Sequence, residues 1–533
     1  MLTDQQAPSS EKNKGIHRIV TNYGRLIATM AMGIAIVPMQ IMWLGMEGFG
    51  LLGLVGSSIG IGAMLQDMMR SSMVRELGAS WHEGDDNKFR ECYAASFKVC
   101  GYVTLATALI FIGIIFLLPH MDIPQGWAGS AQWITGCAGI STCLIILLAP
   151  TINMLVVREQ FFWHNMWTVA TRSAFLIATV VPFLILGITD IPQGLVYFGS
   201  IALSVEILAT TLLVCGFIFT DKRMIPTFRG STPEAMKKVS GTFGWNSGVV
   251  LAMNLHERVA NFVMNYFFGL NGNAIFSLAL RLVSYIRMAT LGLTFGLDSV
   301  SARLSTTDEN STLKSMFRHS TRMIGFVAFP AMVVVFLFAE PLLRLWVGRS
   351  IENPNEILPD AELLVKIMVV GLACRAVSDG WMKLFYGAGH IRKYAPYVFA
   401  GGIFNPILSI VFILLLPKSI DFTGAAIAYS FVFFVVHIVI MPFVTAHEVG
   451  LTFVRIIRPA IKPLLIAIAV SPTLLVANFF TDTNFINWAG VIGGVCIYGI
   501  TYAIASWTFL LTEQERTSAV SFASRFRGKS VQE

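Results

Sequence analysis

Charged residues are scarce in this chain of 533 residues. Asp, Glu, Lys and Arg together make up 13% of it, whereas hydrophobic residues make up 55% and the mean hydropathy is +0.68. Soluble domains carry roughly 25% charged residues, and a soluble protein of this length could not cover its surface with about half that share. The composition therefore excludes an ordinary soluble protein.

Motifs for catalysis and for metal binding are also missing. The seven cysteines form no CxxC pair and no cluster with histidine at metal-ligand spacing, which indicates neither a zinc site nor a disulfide framework. The sequence has no phosphate-binding P-loop, no Ser/His/Asp or Cys/His constellation and no two-histidine zinc motif. We expect no enzyme activity, no metal and no cofactor, and energy from ATP would have to come from another protein.

Apolar runs, by contrast, recur from one end of the chain to the other. Many are about 20 residues long, the length at which a helix crosses the hydrocarbon core of a bilayer. A crossing segment must satisfy its backbone hydrogen bonds internally, so the runs predict an all-α membrane protein with about fourteen transmembrane helices. We place the spans near residues 20–44, 48–68, 93–117, 132–154, 165–186, 196–219, 243–268, 274–300, 323–339, 362–387, 395–416, 423–446, 463–481 and 488–511.

The distribution of basic residues predicts the orientation of these helices. Lys and Arg number 26 in the two tails and in every second loop, but only three in the opposite loops. Basic loops stay in the cytoplasm, so both termini are expected there. The first 19 residues are polar and resemble no removable signal peptide. The net charge of +7 is thus a topological and lipid-facing signal, and we expect no nucleic-acid partner.

A basic, proline-containing connector at residues 221–242 divides the chain. We expect an N-terminal six-helix lobe at 1–220 and a C-terminal six-helix lobe at 243–446. Two extra transmembrane helices and a cytoplasmic tail should follow at 447–533. The loops between spans are short: the longest external one has about 22 residues and the longest cytoplasmic ones are similar. The helix bundle is therefore left as the working part of the molecule.

Two turns show a weak internal similarity between the lobes. LGMEGFGL (44–51) joins the first two predicted spans, and FGLNGNAIF (268–276) joins the seventh and eighth. Each has the pattern of a tight external turn followed by a helix. Parallel repeats of this kind around a central site are a recurrent transporter plan.

Four stretches of the sequence resemble a known family. They are LGMEGFGLLGLVGSSIGIGAMLQDMMRSSMVRELG (44–78), NLHERVANFVMNYFFGLNGNAIFSLALRLVS (254–284), EPLLRLWVG (340–348) and FNPILSIVFILLLPKSIDFTGAAIAYSF (404–431). Together with the helix count they resemble the polysaccharide transport, O-antigen flippase-like family of the multidrug/oligosaccharidyl-lipid/polysaccharide exporter superfamily. In the second stretch, the acidic residue that often precedes the Arg of this family is Glu257 here.

The resemblance carries implications for both fold and function. It implies two six-helix lobes facing a central cavity, two added C-terminal helices, and alternating access between the two faces of a bacterial cytoplasmic (inner) membrane. It also implies a lipid-linked oligosaccharide as cargo, with membrane lipids and polysaccharide assembly proteins as partners. The motifs are loose and do not indicate which saccharide is carried.

Several charged residues lie deep within predicted spans, where an ionisable side chain costs about 2.5 to 3.5 kcal/mol and has to face protein or water. Guanidinium groups bind phosphate oxygens through a planar two-pronged contact, as a diphosphate-linked cargo would require. We therefore predict a cationic, substrate-binding cavity. Its candidate residues are Arg172, Arg258, Arg281, Arg287 and Arg375. Arg281 and Arg287 are six positions apart and are not expected to share one helix face.

Glu206 and Glu257 are the deep acidic residues, and both are candidates for ion coupling. Burial raises the pKa of a carboxyl group towards physiological values, which suits a site that exchanges a proton or a sodium ion during transport. The structural alternative is a permanent salt bridge, such as one between Glu206 and Arg258. For Arg172 the alternative is a side chain that reaches back to the cytoplasmic interface.

The favoured function is a flippase for a polyprenyl-diphosphate-linked oligosaccharide, but other functions stay open. One alternative is a cation-coupled multidrug exporter, against which the excess of deep Arg over deep acids argues. A second is a flippase for the peptidoglycan lipid precursor. A third, from another class, is a membrane-embedded glycan polymerase, which the short external loops do not favour.

Overall fold

A computed structural model describes residues 7–121, 123–241, 244–291, 294, 297, 301, 310–474, 488–513 and 515–517. All regular elements within these ranges are helices, which confirms the predicted all-α class. Before the connector the helices are α1 (Ala7–His82), α2 (Asp86–Leu117), α3 (Ala128–Leu147), α4 (Ala149–Val157), α5 (Phe161–Val180) and α6 (Ile191–Thr220).

The helices after α6 continue the same plan. They are α7 (Pro233–Gly241), α8 (Gly244–Leu291), α9 (Asn310–Leu337), α10 (Ala339–Val347), α11 (Pro354–Ala376), α12 (Asp379–Gly387), α13 (Ala395–Leu415), α14 (Gly424–Phe434), α15 (Met441–Val449), α16 (Phe453–Ala469) and α17 (Trp488–Phe509). Within the described residues, ten helical stretches are long and apolar enough to cross a bilayer. The chain is a multi-pass membrane protein, and the number of fourteen spans stays a prediction.

The chain forms two compact units. The first comprises Met1–Leu278, Arg349–Asn353 and Val398–Ala425, and the second comprises Ala279–Gly348, Pro354–Tyr397 and Ala426–Glu533. The first unit has one apolar core around Tyr93 and Phe97 and another around Leu51 and Leu195. The division into lobes at residues 221–242 stays a prediction.

The two turns that the sequence singles out have nearly the same backbone conformation. Gly45 breaks α1 with φ 67° and ψ −178°, and Gly269 breaks α8 with φ 64° and ψ −168°. A positive φ of this size favours glycine, because a Cβ atom would be strained there. The internal similarity seen in the sequence is therefore a repeated turn, with one copy in each half of the chain.

Helix segments that follow the two turns pack on each other through equivalent positions, all within the first unit. Asn271 Nδ2 donates to Glu47 Oε1 at 3.4 Å, between residues 224 positions apart. A separation of 224 positions along the chain also relates Gly45 to Gly269 and Gly53 to Ser277. Gly53 and Ser277 are in contact, because Ser277 Oγ is 2.4 Å from the point where a Cβ atom on Gly53 would lie. The packing therefore has a local two-fold relation.

A cluster of charges and an aromatic ring joins four helix ends of the first unit, at the connector side of α6. Asp221 accepts hydrogen bonds from Arg223 Nε at 3.0 Å and Nη2 at 2.9 Å, and from Arg158 Nη1 at 3.4 Å. Arg223 Nη1 also donates to Asp86 at 3.1 Å. The two guanidinium carbons lie 4.5 Å and 5.2 Å from the ring centre of Trp81. We call these five residues the Asp221 cluster.

The Asp221 cluster should make stability depend on pH. Hydrogen bonding to Arg223 is the main cause that lowers the pKa of Asp221 below its usual value. A carboxyl group with a lowered pKa stabilises the fold fully above the unfolded value, near pH 4, and this contribution is lost as pH falls through the lowered pKa. We expect Asp221→Asn to reduce the free energy of unfolding by about 2 kcal/mol at pH 7, measured by denaturation in detergent, and the difference from wild type to shrink below about pH 4.

A matched control for this prediction is the ion pair between Lys88 Nζ and Glu83 Oε2, which is 3.1 Å long and largely exposed. Pairs of this kind contribute about 0 to 1 kcal/mol, so Glu83→Gln should have little effect. An Asp221→Asn protein as stable as Glu83→Gln at pH 7 would show that the cluster does not hold the four helix ends together.

The second unit contains the C-terminal helices, and one of them starts earlier than the sequence predicts. The predicted span begins near residue 463, whereas α16 runs over Phe453–Ala469 and contains Pro459 and Pro463. Its buried residues Ile456, Ala460, Pro463 and Ala467 recur at helical spacing, and α16 packs along α9. Packing on α9 offsets the two lost backbone hydrogen bonds that make proline a predictor of a helix end.

Candidate functional site

The deep charged residues lie in both units. Arg172 on α5, Glu206 on α6 and Arg258 on α8 belong to the first unit. Arg281 and Arg287 on α8, and Arg375 on α11, belong to the second. The side chain of Glu257, the other predicted coupling residue, lies outside the described part of the structure.

In the first unit, Arg172 lies close enough to both Glu206 and Arg258 to interact with them electrostatically. Arg172 is exposed and lies 11 residues into α5, which corresponds to about 16 Å of helix rise. Ser141 on α3 donates a hydrogen bond to Glu206. We call Arg172, Glu206 and Arg258 the first-unit site. Its described side chains combine two guanidinium groups with one carboxyl group.

Arg258 is the member of this site with unused hydrogen-bonding capacity. Its Nε is buried and has no hydrogen-bond partner among the residues that the structure describes. No ion pair joins Arg258 to Glu206 within that part of the chain, so the salt bridge considered as a structural alternative is not formed there. A buried charged donor without a partner is costly, and such groups in native proteins call for an explanation such as a ligand.

In the second unit, Arg375 is held by an ion pair. Its Nε donates to Asp379 Oδ1 at 3.2 Å, and the two side chains are only 3% and 7% exposed. Arg375 ends α11 and Asp379 begins α12, so each charge has the sign that the adjacent helix dipole favours. The pair spans the break between the two helices. Its i,i+4 spacing could have predicted the contact from the sequence.

Polar side chains from α8, from α14 and from the segment after α14 surround this break. Arg287 and Tyr429 both interact electrostatically with Arg375 and Asp379. Ser378, which lies in the break, makes a 2.6 Å hydrogen bond with His437 Nδ1. His437 belongs to a π-helical segment, Val435–Ile440, and such segments are frequent at functional sites.

Among the contacts that the structure describes, the predicted Arg residues of the second unit have different neighbours. Arg287 joins Arg375, whereas Arg281 interacts with Tyr285, whose ring packs at 6.0 Å from that of Trp346. These two Arg residues of α8 therefore have different neighbours. The roles of all five Arg residues in substrate binding stay predictions.

The described helices contain no group of three His, Cys, Asp or Glu side chains that could hold a metal ion. Among the described side chains of each unit, guanidinium groups on α5, α8 and α11 instead outnumber the carboxyl groups near them. A guanidinium stays ionised in such surroundings and donates to anionic oxygens. Chemically, the arrangement suits an anionic ligand better than a cationic one.

Comparison with known proteins adds a family model for part of the chain. Residues 137–353 match a family model described as a polysaccharide biosynthesis protein. A search of curated protein sequences finds no significant match. The family model covers α4 to α10 and the Arg172, Glu206, Arg258, Arg281 and Arg287 positions.

Solved structures with the same fold are membrane transporters. An inward closed lipid II flippase MurJ has a TM-score of 0.69 at 14% identity, over 93% of this chain and 100% of that one. An inward-facing multidrug resistance MATE family transporter has a TM-score of 0.65 at 16% identity, over 79% of this chain and 94% of that one. A MOP superfamily transporter from Pyrococcus furiosus, described as having a binding pocket of reverse polarity, has a TM-score of 0.50 at 15% identity, over 86% of this chain and 93% of that one.

The chain therefore has the all-α fold of these solved transporters. The family model and this fold together confirm the resemblance read from the sequence, to a polysaccharide or lipid-linked flippase-like family.

Proposed function

We propose that the protein is a flippase that moves a polyprenyl-diphosphate-linked oligosaccharide from the cytoplasmic to the external leaflet by alternating access. It acts in the bacterial cytoplasmic (inner) membrane, with both termini in the cytoplasm, and supplies cell-surface polysaccharide biosynthesis. The distribution of 26 basic residues on one side against three on the other supports this orientation.

The observation that carries the proposal is the buried Nε of Arg258, which has no hydrogen-bond partner among the described residues and lies within electrostatic range of a second guanidinium group, that of Arg172. A diphosphate has to leave water to cross the low-dielectric core, and planar guanidinium groups provide charge-assisted hydrogen bonds that replace its hydration. In this proposal Arg258 and Arg172 bind the diphosphate while the polyprenyl tail stays among lipid chains. Within the second unit, Arg281, Arg287 and Arg375 stay proposed substrate-binding residues.

Glu206 is the proposed coupling residue in the first-unit site, and Glu257 remains a second candidate. Glu206 accepts a hydrogen bond from Ser141 and lies near Arg172, without an ion pair among the described residues. A carboxyl group in this position is free to gain and lose a proton when cargo replaces it near Arg172. Coupling by exchange of a proton or sodium ion is therefore part of the proposal.

Two other transport functions have support in the same observations. Similarity to the lipid II flippase extends over 93% of this chain, so a peptidoglycan lipid precursor, also a diphosphate, is the second candidate cargo. Similarity to the MATE family transporter makes a drug exporter the third. Organic cations require acidic sites, and the excess of Arg over acidic side chains in the first-unit site argues against that cargo.

Deletion of the gene in its native host tests the proposed direction and cargo. We expect lipid-linked oligosaccharide to accumulate on the cytoplasmic side of the membrane, with surface polymer lost and peptidoglycan synthesis maintained. The measurement is accessibility of the glycan to an impermeant labelling enzyme in spheroplasts and in inverted vesicles. Accumulation of single repeat units outside would indicate a polymerase instead, and arrest of peptidoglycan synthesis would indicate the precursor flippase.

A further inference from the structure

The exposed surface of α16 carries a basic face that the transport mechanism does not use. Arg455, Arg458 and Lys462 are all exposed, and at about 100° per residue they lie within an arc of roughly 60° on the helix. The helix contains no Asp or Glu. We call these three residues the α16 basic face.

The three cations are available for a ligand. None of them has an ion pair or a hydrogen bond from its side chain within the residues described here. Glu448, the nearest acidic residue before α16, is occupied by Lys393, whose Nζ lies 3.0 Å from Glu448 Oε1. The α16 basic face therefore keeps its full charge towards its surroundings.

A neighbouring helix adds a further cation at the same depth. Lys314 on α9 lies next to Gly450, which is three residues before α16. Its Nζ is 3.3 Å from the point where a Cβ atom on Gly450 would lie. This contact places the first turns of α9 and α16 side by side, because both helices start here and pack along each other. Arg318, one turn after Lys314, is exposed and lies level with the start of the α16 basic face.

Apolar side chains continue the surface beyond the cations. Leu465 is 59% exposed and Ile468 is 51% exposed, and Leu465 lies one turn beyond Lys462, within about 20° of the direction of Arg458. The opposite side of α16 is buried against the protein. The exposed side thus changes from basic to apolar along the helix, as the surface of a lipid changes from head group to acyl chain.

We infer that the α16 basic face, with Arg318, binds an anionic phospholipid of the cytoplasmic leaflet. The phosphate groups contact the guanidinium and ammonium groups, and the acyl chains lie along Leu465 and Ile468. A lipid with two phosphates, such as cardiolipin, matches the spread of charge over two turns of α16. Basic residues near the membrane surface attract anionic lipids in this way.

Lipid titration of the purified full-length protein in detergent tests this inference, with native mass spectrometry to count bound lipids. The variant is Arg455→Gln, Arg458→Gln and Lys462→Gln combined, and the probes are tetraoleoyl cardiolipin and dioleoyl phosphatidylcholine. Each basic residue near the surface contributes about a fivefold gain in affinity, so cardiolipin should bind roughly 100-fold more weakly to the triple variant. Phosphatidylcholine binding should not change.

The matched control removes three exposed cations elsewhere, by Arg90→Gln, Arg229→Gln and Lys237→Gln combined. Cardiolipin should bind this control like wild type. Equal weakening in both triple variants, or no preference of wild type for cardiolipin over phosphatidylcholine, would overturn the inference.

A second measurement uses the wild-type protein together with one charge-conserving variant. Salt screens exposed charges, with a Debye length of about 10 Å at 0.1 M and about 3 Å at 1 M. Cardiolipin affinity of the wild-type protein should therefore fall at least tenfold between 0.05 M and 0.5 M NaCl, and it should be retained by the charge-conserving Arg455→Lys, Arg458→Lys variant. Affinity that does not respond to salt would contradict the inference. None of these readouts depends on the transported cargo.

Discussion

Replacing Arg258 with Gln should lower polymer export roughly 10- to 100-fold. The variant is expressed at the normal protein level in a host whose own copy of the gene has been deleted. The Nε of Arg258 is buried without a partner in the described chain, and a charge-assisted hydrogen bond to a diphosphate contributes about 1.5 to 3 kcal/mol. Arg258→Lys should restore export only in part, because an ammonium group cannot make the planar two-pronged contact.

Control variants separate this effect from a general loss of charge. Arg229→Gln removes a cation that is exposed on the connector, and it should export polymer like wild type. The same Gln and Lys changes at Arg281 examine the second unit, where Arg281 lies beside Tyr285. Normal export by all four variants, at normal protein levels, would exclude a cationic substrate site even though the family assignment would stand.

Among the glycines of the first unit that the structure describes, replacing Gly50 with Ala should cause the largest loss of stability. A Cβ atom at Gly50 would lie 2.1 Å from the backbone oxygen of Leu270 and 3.3 Å from Ala274 Cβ. Neither atom belongs to a flexible side-chain end, so the two helix segments have to move apart. We expect the free energy of unfolding to fall by about 3 kcal/mol, with a lower yield of folded protein, as measured by thermal unfolding in detergent.

Gly56→Ala provides the matched control for this substitution. Gly56 lies on the same helix segment, but no atom lies within 4 Å of the position of its Cβ. Alanine is favoured over glycine in a helix by about 1 kcal/mol, so Gly56→Ala should be neutral or slightly stabilising. Equal stability of the two variants would contradict the close packing of the two helix segments at Gly50.

Patterns within single stretches of sequence predict much of this fold. The turns at 44–51 and 268–276 can be predicted because a positive φ favours glycine. Gly45 and Gly269 have nearly the same backbone angles. Membrane spans follow from apolar length alone. The start of α16 cannot be predicted in this way, because Pro459 and Pro463 indicate a helix break. Packing on α9 stabilises the helix in spite of them.

Only the depth of a side chain in the membrane, and not its partner, follows from counting residues along a helix. Sequence analysis therefore identifies deep charges such as Glu206, but its contact with Ser141 depends on how α3 and α6 are rotated towards each other. The same holds for His437 and Ser378, which are 59 positions apart. Arg375 and Asp379 are the exception, because four residues along one chain segment bring them together directly.

The most direct measurement for the central claim is the side of the membrane on which lipid-linked oligosaccharide resides in a host that carries only the Arg258→Gln protein. If Arg258 binds the diphosphate during translocation, the glycan should be labelled in inverted vesicles and protected in intact spheroplasts, as in the deletion strain. Labelling of the glycan in spheroplasts to the wild-type extent would contradict the claim that a guanidinium group of the first-unit site carries the cargo across.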